Sequence, residues 1–286
     1  MTITIRSLKS IEECRYSQVV ERMIWANSDE ETVPIHVLIT VVKNGGRLLG
    51  AYADDGPAET GGMVGFALWW LGEGTPRGEQ APRLKVCSHI VGVLPGWQGQ
   101  RIGLQLKLAQ RDAVLAQGLT DWITWTYDPL YRANGVFNIH RLGATCNTYF
   151  RNLYGEMQDA LNKGVPSDRC QVDWWLNDPH VPRTLDDVPP PRTWNPSRMH
   201  ILPAIRRVDG FQEPMETRAA LPLDGAPLAV PIPDDIAAIR ASDAALSLAW
   251  RFYLREVFEE AFAADYAMVD CASLDGRGWF YVLTAK

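Results

Sequence analysis

Residues 98–104 read Gln-Gly-Gln-Arg-Ile-Gly-Leu and join a β-branched, apolar run ending at Leu94 to a helical run that stops at Gly118. A helix N-terminus leaves its first backbone N–H groups without intrahelical partners and carries about half a positive charge. Glycines at that point let a phosphate come close to the backbone. The spacing is neither the GxxxxGK[ST] of a P-loop nor the GxGxxG of a dinucleotide-binding turn. It offers a seat for a phosphorylated ligand beside the end of a strand. Groups able to move a proton lie near it in sequence. His89 is inside the preceding strand, Asp128 stands just past the following strand, and Tyr131 comes three positions later. Ligands of open α/β sheets sit beyond strand carboxyl ends, which favours Asp128. Strict alternation puts His89 on one strand face with Cys87, Val91 and Val93.

The same loop resembles the acyl-CoA-binding motif of the GNAT acetyltransferase superfamily, [QR]-x-x-G-x-[GA] following a strand. Gln98 stands at the first position and Gly103 at the last, while Arg101 occupies the middle glycine position. The resemblance implies that Gln98, Gly99, Gln100, Arg101, Ile102, Gly103 and Leu104 wrap a CoA pyrophosphate. It implies a thioester carbonyl polarised by backbone N–H groups near Val91 and Val93, and Asn134 and Asn138 beside the pantetheine amides. Lys107 and Arg111, with Arg101, would add a local basic patch. Residues 124–176 extend the resemblance to a little-characterised bacterial group of the superfamily about this long, with an extra C-terminal region. The family's tyrosine acid, four residues before the glycine that ends its helix, corresponds here to Ile139, between Asn138 and His140. Tyr127, Tyr131, Tyr149 and Tyr154 are the remaining candidates for that role.

Acyl transfer to an amine needs a polarised carbonyl, a base for the amine proton and an acid for the leaving thiolate. His89 and Asp128 are the candidate bases and Tyr131 a candidate acid. The resemblance thus implies an N-acyltransferase, with acetyl-CoA or another acyl-CoA as co-substrate and a small-molecule amine as acceptor. Two further readings stand beside it. One is a CoA- or acyl-carrier-binding module without catalysis, favoured by Arg101 and the missing tyrosine. The other is different thioester chemistry, such as decarboxylation.

The elements that must position these groups are legible from period and punctuation. A strand at 2–6 precedes a helix capped by Ser10 and running to Trp25. Pro34 opens a second helix that ends at Asn44-Gly45-Gly46. Strands at 47–53 and 63–71 pair as a hairpin, and a third begins near Arg83. The helix after the glycine loop carries one stripe of Ile102, Leu106, Ala109, Ala113 and Ala116. A second stripe of Leu104, Leu108 and Leu115 calls for cover from another part of the chain or a partner, a homodimer being one such partner. A strand at 121–126, a helix at 132–142 and a closing strand at 170–176 follow. This order matches the GNAT fold: an α/β (α+β) architecture with a mixed, mostly antiparallel central sheet flanked by helices. The expected domains are 1–178, a proline-rich linker at 179–196, and a smaller α+β region at 197–286. That last region reads as strands near 199–207 and 228–232, a short helix after Pro233, a long helix capped by Ser242 or Asp243, and a hairpin around Asp275-Gly276.

Composition bounds the rest. The 286 residues are 47% hydrophobic and 22% charged, within globular values. A net charge of −6 argues against a nucleic-acid partner, which usually demands a basic surplus. No segment approaches the roughly 18 apolar residues of a membrane span. Five scattered cysteines without a CxxC suggest reduced thiols, a cytoplasmic location and no metal centre.

Overall fold

The computed structural model describes residues 2–25, 32–155, 165–187, 190, 192–215, 220–274 and 276–286. Its elements run in the order β1 (Ile3–Ser7), α1 (Ile11–Trp25), α2 (Ile35–Lys43), β2 (Arg47–Ala53), β3 (Met63–Gly74), β4 (Arg83–Val93), α3 (Ile102–Gln117) and β5 (Trp122–Tyr127). Then come α4 (Arg132–Gly135), continued as a π-helical turn (Val136–Arg141), β6 (Thr145–Phe150) and β7 (Arg169–Trp175). Four strands follow: β8 (His200–Ile201), β9 (Ala204–Arg206), β10 (Gln212–Pro214) and β11 (Leu228–Pro231). The chain ends with α5 (Ile236–Ser242), α6 (Ala244–Ala263), β12 (Tyr266–Ser273) and β13 (Trp279–Ala285). This is the expected mixed α+β class, with mostly antiparallel strands flanked by helices.

The chain divides into two compact units. The first holds residues 1–125 with 175–177 and 183–187; the second holds 126–174, 178–182 and 188–286. The proline-rich segment therefore contributes pieces to both. Pro189 and Pro191 of that segment, and Asp275 of the terminal hairpin, lie outside the described residues.

In the first unit the strand order is β1-β2-β3-β4-β5. The first four pair antiparallel and β5 joins β4 in parallel. Ser10 caps α1 as the sequence implies, its Oγ accepting from the Glu13 N–H at 3.1 Å while the Glu13 carboxylate returns to the Ser10 N–H. α1 and α2 cover one face of the sheet through a core that includes Val20, Leu38, Leu48, Met63, Phe66 and Leu68. α3 lies on the other face. A side chain at Gly65 would meet Leu106 of α3, whereas one at Gly92 would meet Ile24 and Trp25 of α1. Leu104 and Leu108, from the stripe that needed cover, are both buried.

In the second unit the strand order is β7-β6-β12-β13-β11-β8, with β9 and β10 as a separate ribbon. Asp235 caps α5 and Asp243 caps α6, each accepting a backbone N–H three residues on. α6 buries Trp250, Leu254, Val257, Phe258 and Phe262 along its length. β6 was not anticipated. Its Thr-Cys-Asn-Thr-Tyr-Phe alternates weakly, and the register with β7 shifts at Asn147, which is buried as the extra residue of a bulge.

Candidate functional site

The loop before α3 has the backbone that a glycine motif exists to allow. Gly99 and Arg101 both take left-handed conformations, at φ +77° and +63°. The Arg101 position is where the motif carries glycine, and the reason is now physical: a residue with a Cβ is strained there. Arg101 is the N-cap of α3 and its side chain makes no capping bond. The guanidinium reaches instead to Asp186, 3.4 Å away on the surface. A Cβ on Gly99 would meet nothing within 4 Å, so the loop is open there. Gln98 folds back, its Nε2 donating to the Val93 carbonyl at 3.1 Å. Val91, Val93 and residues 98–104 therefore converge on one junction between β4 and α3.

β4 is distorted upstream of that junction. Its register with β3 shifts between Leu68↔Ile90 and Trp69↔Ser88, leaving His89 as the extra residue of a bulge. The bulge breaks the expected alternation. Ser88 and Val93 both face α3, although they differ in parity. Cys87 and His89 face the α1–α2 side, where the His89 ring lies 5.1 Å from that of Trp70. The predicted common face of Cys87, His89, Val91 and Val93 is thus corrected: the bulge puts the first two opposite the last two. Partial enclosure lowers the pKa of His89, favouring a neutral ring.

Pairing between β4 and β5 covers Val86↔Ile123 and Cys87↔Thr124 and goes no further along β4. Residues 88–93 therefore present a strand edge that β5 does not ladder. Beneath the parting point lies Lys107, which sequence reading placed on a basic surface patch. It is buried at 2% exposure. Its Nζ donates to Ser88 Oγ at 3.0 Å and Gln110 Oε1 at 3.1 Å, and sits 3.5 Å from the centre of the Trp125 ring. Burial pushes its pKa well below the ordinary lysine value. Arg111 is paired with its neighbour Asp112 at 2.9 Å.

The remaining predicted residues belong to the second unit. Asp128 is buried, and both its oxygens accept from Arg251, at 3.0 and 2.7 Å; Oδ1 also accepts the Leu130 N–H. Arg251 is itself fully buried. A carboxylate held in this way serves packing, so the structure does not present Asp128 as an open base. Asp168 repeats the arrangement. Burial alone would raise its pKa, but Arg255, the Asn152 N–H and Tyr149 hold it below the usual range. Tyr149 is thereby committed as a donor. The Tyr131 hydroxyl accepts from Arg240 at 3.2 Å. Asn134 is exposed on α4, and Asn138 is buried within the π-helical turn.

One constellation in this unit was not read from sequence. His140, on the π-helical turn, places Nδ1 2.8 Å from Oδ1 of Asp270 on β12. Asp270 is buried and also accepts from Trp194 Nε1 at 2.7 Å and from the Cys271 N–H at 2.8 Å. The partners are 130 and 76 residues apart in sequence, so no local pattern joins them. Among the described residues no group of three or more His, Cys, Asp or Glu could hold a metal ion, and no helix is long and apolar enough to cross a membrane.

No family model and no curated protein matches the chain. Solved structures do. Arabidopsis thaliana NAA60 with a bisubstrate analogue is 13% identical, over 61% of this chain and 98% of that one, at a TM-score of 0.46. An N-acetyltransferase from Staphylococcus aureus Mu50 is 16% identical, over 62% and 99%, at 0.46. The ribosomal-protein-S18-alanine N-acetyltransferase from Escherichia coli is 15% identical, over 60% and 92%, at 0.42. At these scores a functional reading rests on the chain's own strands and loop.

Proposed function

We propose that the chain is an acyl-CoA-dependent N-acyltransferase of the GNAT superfamily, with acetyl-CoA as co-substrate and a small-molecule amine as acceptor. The observation that carries the reading is the parting of β4 from β5 just before a left-handed loop that opens α3. An extended amide-bearing arm can bond to the free edge of residues 88–93, as an added strand does. The pyrophosphate at the end of that arm meets the N-terminus of α3, where Gly99, Gln100, Arg101, Ile102, Gly103 and Leu104 supply backbone donors and open space and Gln98 shapes the turn before them. Arg101, exposed beside Asp186, adds a cation that can exchange a weak surface pair for a phosphate.

The chemistry asked of the protein is modest. The amine attacks the thioester carbonyl, whose oxygen gathers negative charge, and backbone N–H groups of β4 near the bulge stabilise that charge. The acceptor nitrogen then sheds a proton and the thiolate leaves.

Arg101 in the glycine position favours one other reading, a module that binds CoA without turnover. Calorimetric titration with CoA, acetyl-CoA and dephospho-CoA, followed by an amine screen, separates the two. Binding with turnover supports the transferase, and binding without turnover supports the module. Gly103→Glu tests the seat itself by placing bulk and negative charge at the start of α3. Unchanged CoA affinity in that variant would remove the loop from the site.

A further inference from the structure

An acyl arm laid along residues 88–93 has its thioester carbonyl accepting from a strand N–H, and such a donor lies near the plane of the carbonyl it meets. The thioester plane then lies close to the plane of the sheet, as the amides of an added strand do. An amine attacks the carbonyl carbon from above or below that plane, where the accepting orbital points. At the β4 bulge these two directions are the α3 face and the α1–α2 face, and they are not alike. The α3 face is filled. Ser88, 5% exposed, points into it, and the Lys107 amine and the fully buried Gln110 cover Ser88 Oγ at 3.0 and 3.3 Å. The Trp125 ring of β5 lies against the same amine. An acceptor cannot come through this cluster without dismantling it.

The α1–α2 face is open at the same point. His89 faces it beside Cys87 and is exposed. Its ring lies 5.1 Å from the Trp70 ring of β3, the two planes tilted by 42°. The register produces this neighbour: Trp70 pairs with Cys87, and the bulge inserts His89 before Ile90 meets Leu68. The indole thus supports the imidazole from one side and leaves its other edge to solvent. Enclosure lowers the pKa of His89, so at pH 7 the ring is neutral and one nitrogen carries a lone pair. β3, β4 and α3 belong to one compact unit, so this placement is internal to that unit.

We propose that the acceptor amine attacks from the α1–α2 face and that His89 is the general base that takes its proton, with Trp70 as its positioning residue. The proposal rests on the acyl-transfer reading and adds the direction of attack and the proton's destination. The backbone brings the ring to the reaction: the bulge whose N–H groups meet the carbonyl oxygen is the one that His89 makes. The neutral amine forms its bond to the thioester carbon, and the proton it sheds passes to the ring nitrogen that holds the lone pair. The carbon–sulfur bond then breaks with its electron pair on sulfur, and the imidazolium gives the proton to the thiolate, directly or through solvent. The products are the amide and the free thiol, with the ring regenerated.

The test uses the full chain, acetyl-CoA and three probe amines: phenethylamine, spermidine and glycinamide. Acetyl-CoA affinity is measured by calorimetry, kcat and kcat/KM across pH, and the His89 ring by NMR with and without acetyl-CoA. His89→Gln should lose about 100-fold or more in kcat and the acidic limb of its pH profile, with acetyl-CoA affinity and melting temperature close to wild type. Added imidazole should restore part of the activity of His89→Ala. Trp70→Leu should raise the His89 midpoint toward the ordinary value of about 6.5, and the acidic limb should move up with it, which a merely structural indole would not cause. Bound acetyl-CoA should shift the His89 ring resonance in wild type. Wild-type kcat in His89→Gln, or an acidic limb that ignores the His89 midpoint, would overturn the proposal and leave the acyl-transfer reading standing. Absence of acetyl-CoA binding in wild type, or binding without turnover of any probe amine, would overturn that reading and the proposal with it. Wild type alone decides the second case and the variants decide the first, so the two failures are distinguishable.

Discussion

The amine of Lys107 lies 3.0 Å from the Ser88 hydroxyl, directly beneath the point where β4 leaves β5. The same amine sits over the Trp125 ring of β5. One side chain of α3 thus touches both strands where they part, and fills the space between them with a polar head. The Ser88 hydroxyl, the Gln110 carbonyl oxygen and the ring answer that head.

This makes the stability of the chain depend on pH through Lys107. Its folded pKa lies below its unfolded value of about 10.4, so the folded chain binds fewer protons between the two. Stability therefore rises with pH through that interval and is lost as pH falls through it. Lys107→Met keeps the length of the side chain and removes the titration. Denaturant melts at pH 7 and pH 9.5 should show wild type gaining stability relative to the variant at the higher pH. A difference independent of pH would show that the amine stays protonated, held by the indole face.

Arg101 yields a prediction of opposite sign. A residue with a Cβ in the left-handed region costs about 1–2 kcal/mol, and a glycine's extra freedom when unfolded returns roughly 0.5–1 kcal/mol of that. The exposed pair with Asp186 contributes about 0–1 kcal/mol. Arg101→Gly should therefore fold with stability near or slightly above wild type. Arg101→Val should lose about 1 kcal/mol or more, since β-branching is least tolerated at positive φ. Urea unfolding of both variants decides it, and equal stabilities would remove backbone strain from the account of this loop.

The parts of this architecture that local chemistry determines were readable in advance. Ser10 and Asp243 cap where their hydrogen bonds require it, and Gly118 and Gly143 end their helices in the left-handed region. The order of strands and helices follows from period and punctuation. What escaped reading has a common cause. The His89 bulge changes parity without any change in residue type. Lys107 and Gln110 look solvated in sequence, yet they share a helical face with the buried Val114. Asp128 looked open at a strand end because Arg251, which closes over it, lies 123 residues away. In each case the pairing a residue finds in the fold, not its type, decides where it points.

Asp128 and Arg251 should behave as a buried pair. Removing either leaves a buried charge without the partner that meets it at two atoms, which costs about 3–5 kcal/mol, less where the Leu130 N–H and Arg169, 3.9 Å from Asp128, compensate. Asp128→Asn and Arg251→Met should each lower stability by that amount, and the double variant should lose less than the sum. Turnover per folded molecule should survive in Asp128→Asn. If the variant is stable but inactive, Asp128 is a chemical group after all and the pairing is secondary.

His140 and Asp270 give a bell-shaped contribution to stability. The hydrogen bond to Asp270, partly offset by burial, raises the folded pKa of His140. That contribution is complete below the unfolded value of about 6.5 and is lost as pH rises through the folded value. Burial alone would raise the pKa of Asp270, but the bonds from His140 and Trp194 outweigh it and hold the folded value low. Its contribution is complete above the unfolded value of about 3.9 and is lost as pH falls through the folded one. Wild type should therefore exceed Asp270→Asn most between about pH 4 and 6.5, with the margin narrowing on both sides. Half of the imidazole is in solvent, so screening keeps the margin small and added salt should shrink it further. Chemical denaturation of both proteins across pH 3 to 9 reads this directly. A margin that is flat in pH would mean that His140 does not share its proton with the carboxylate.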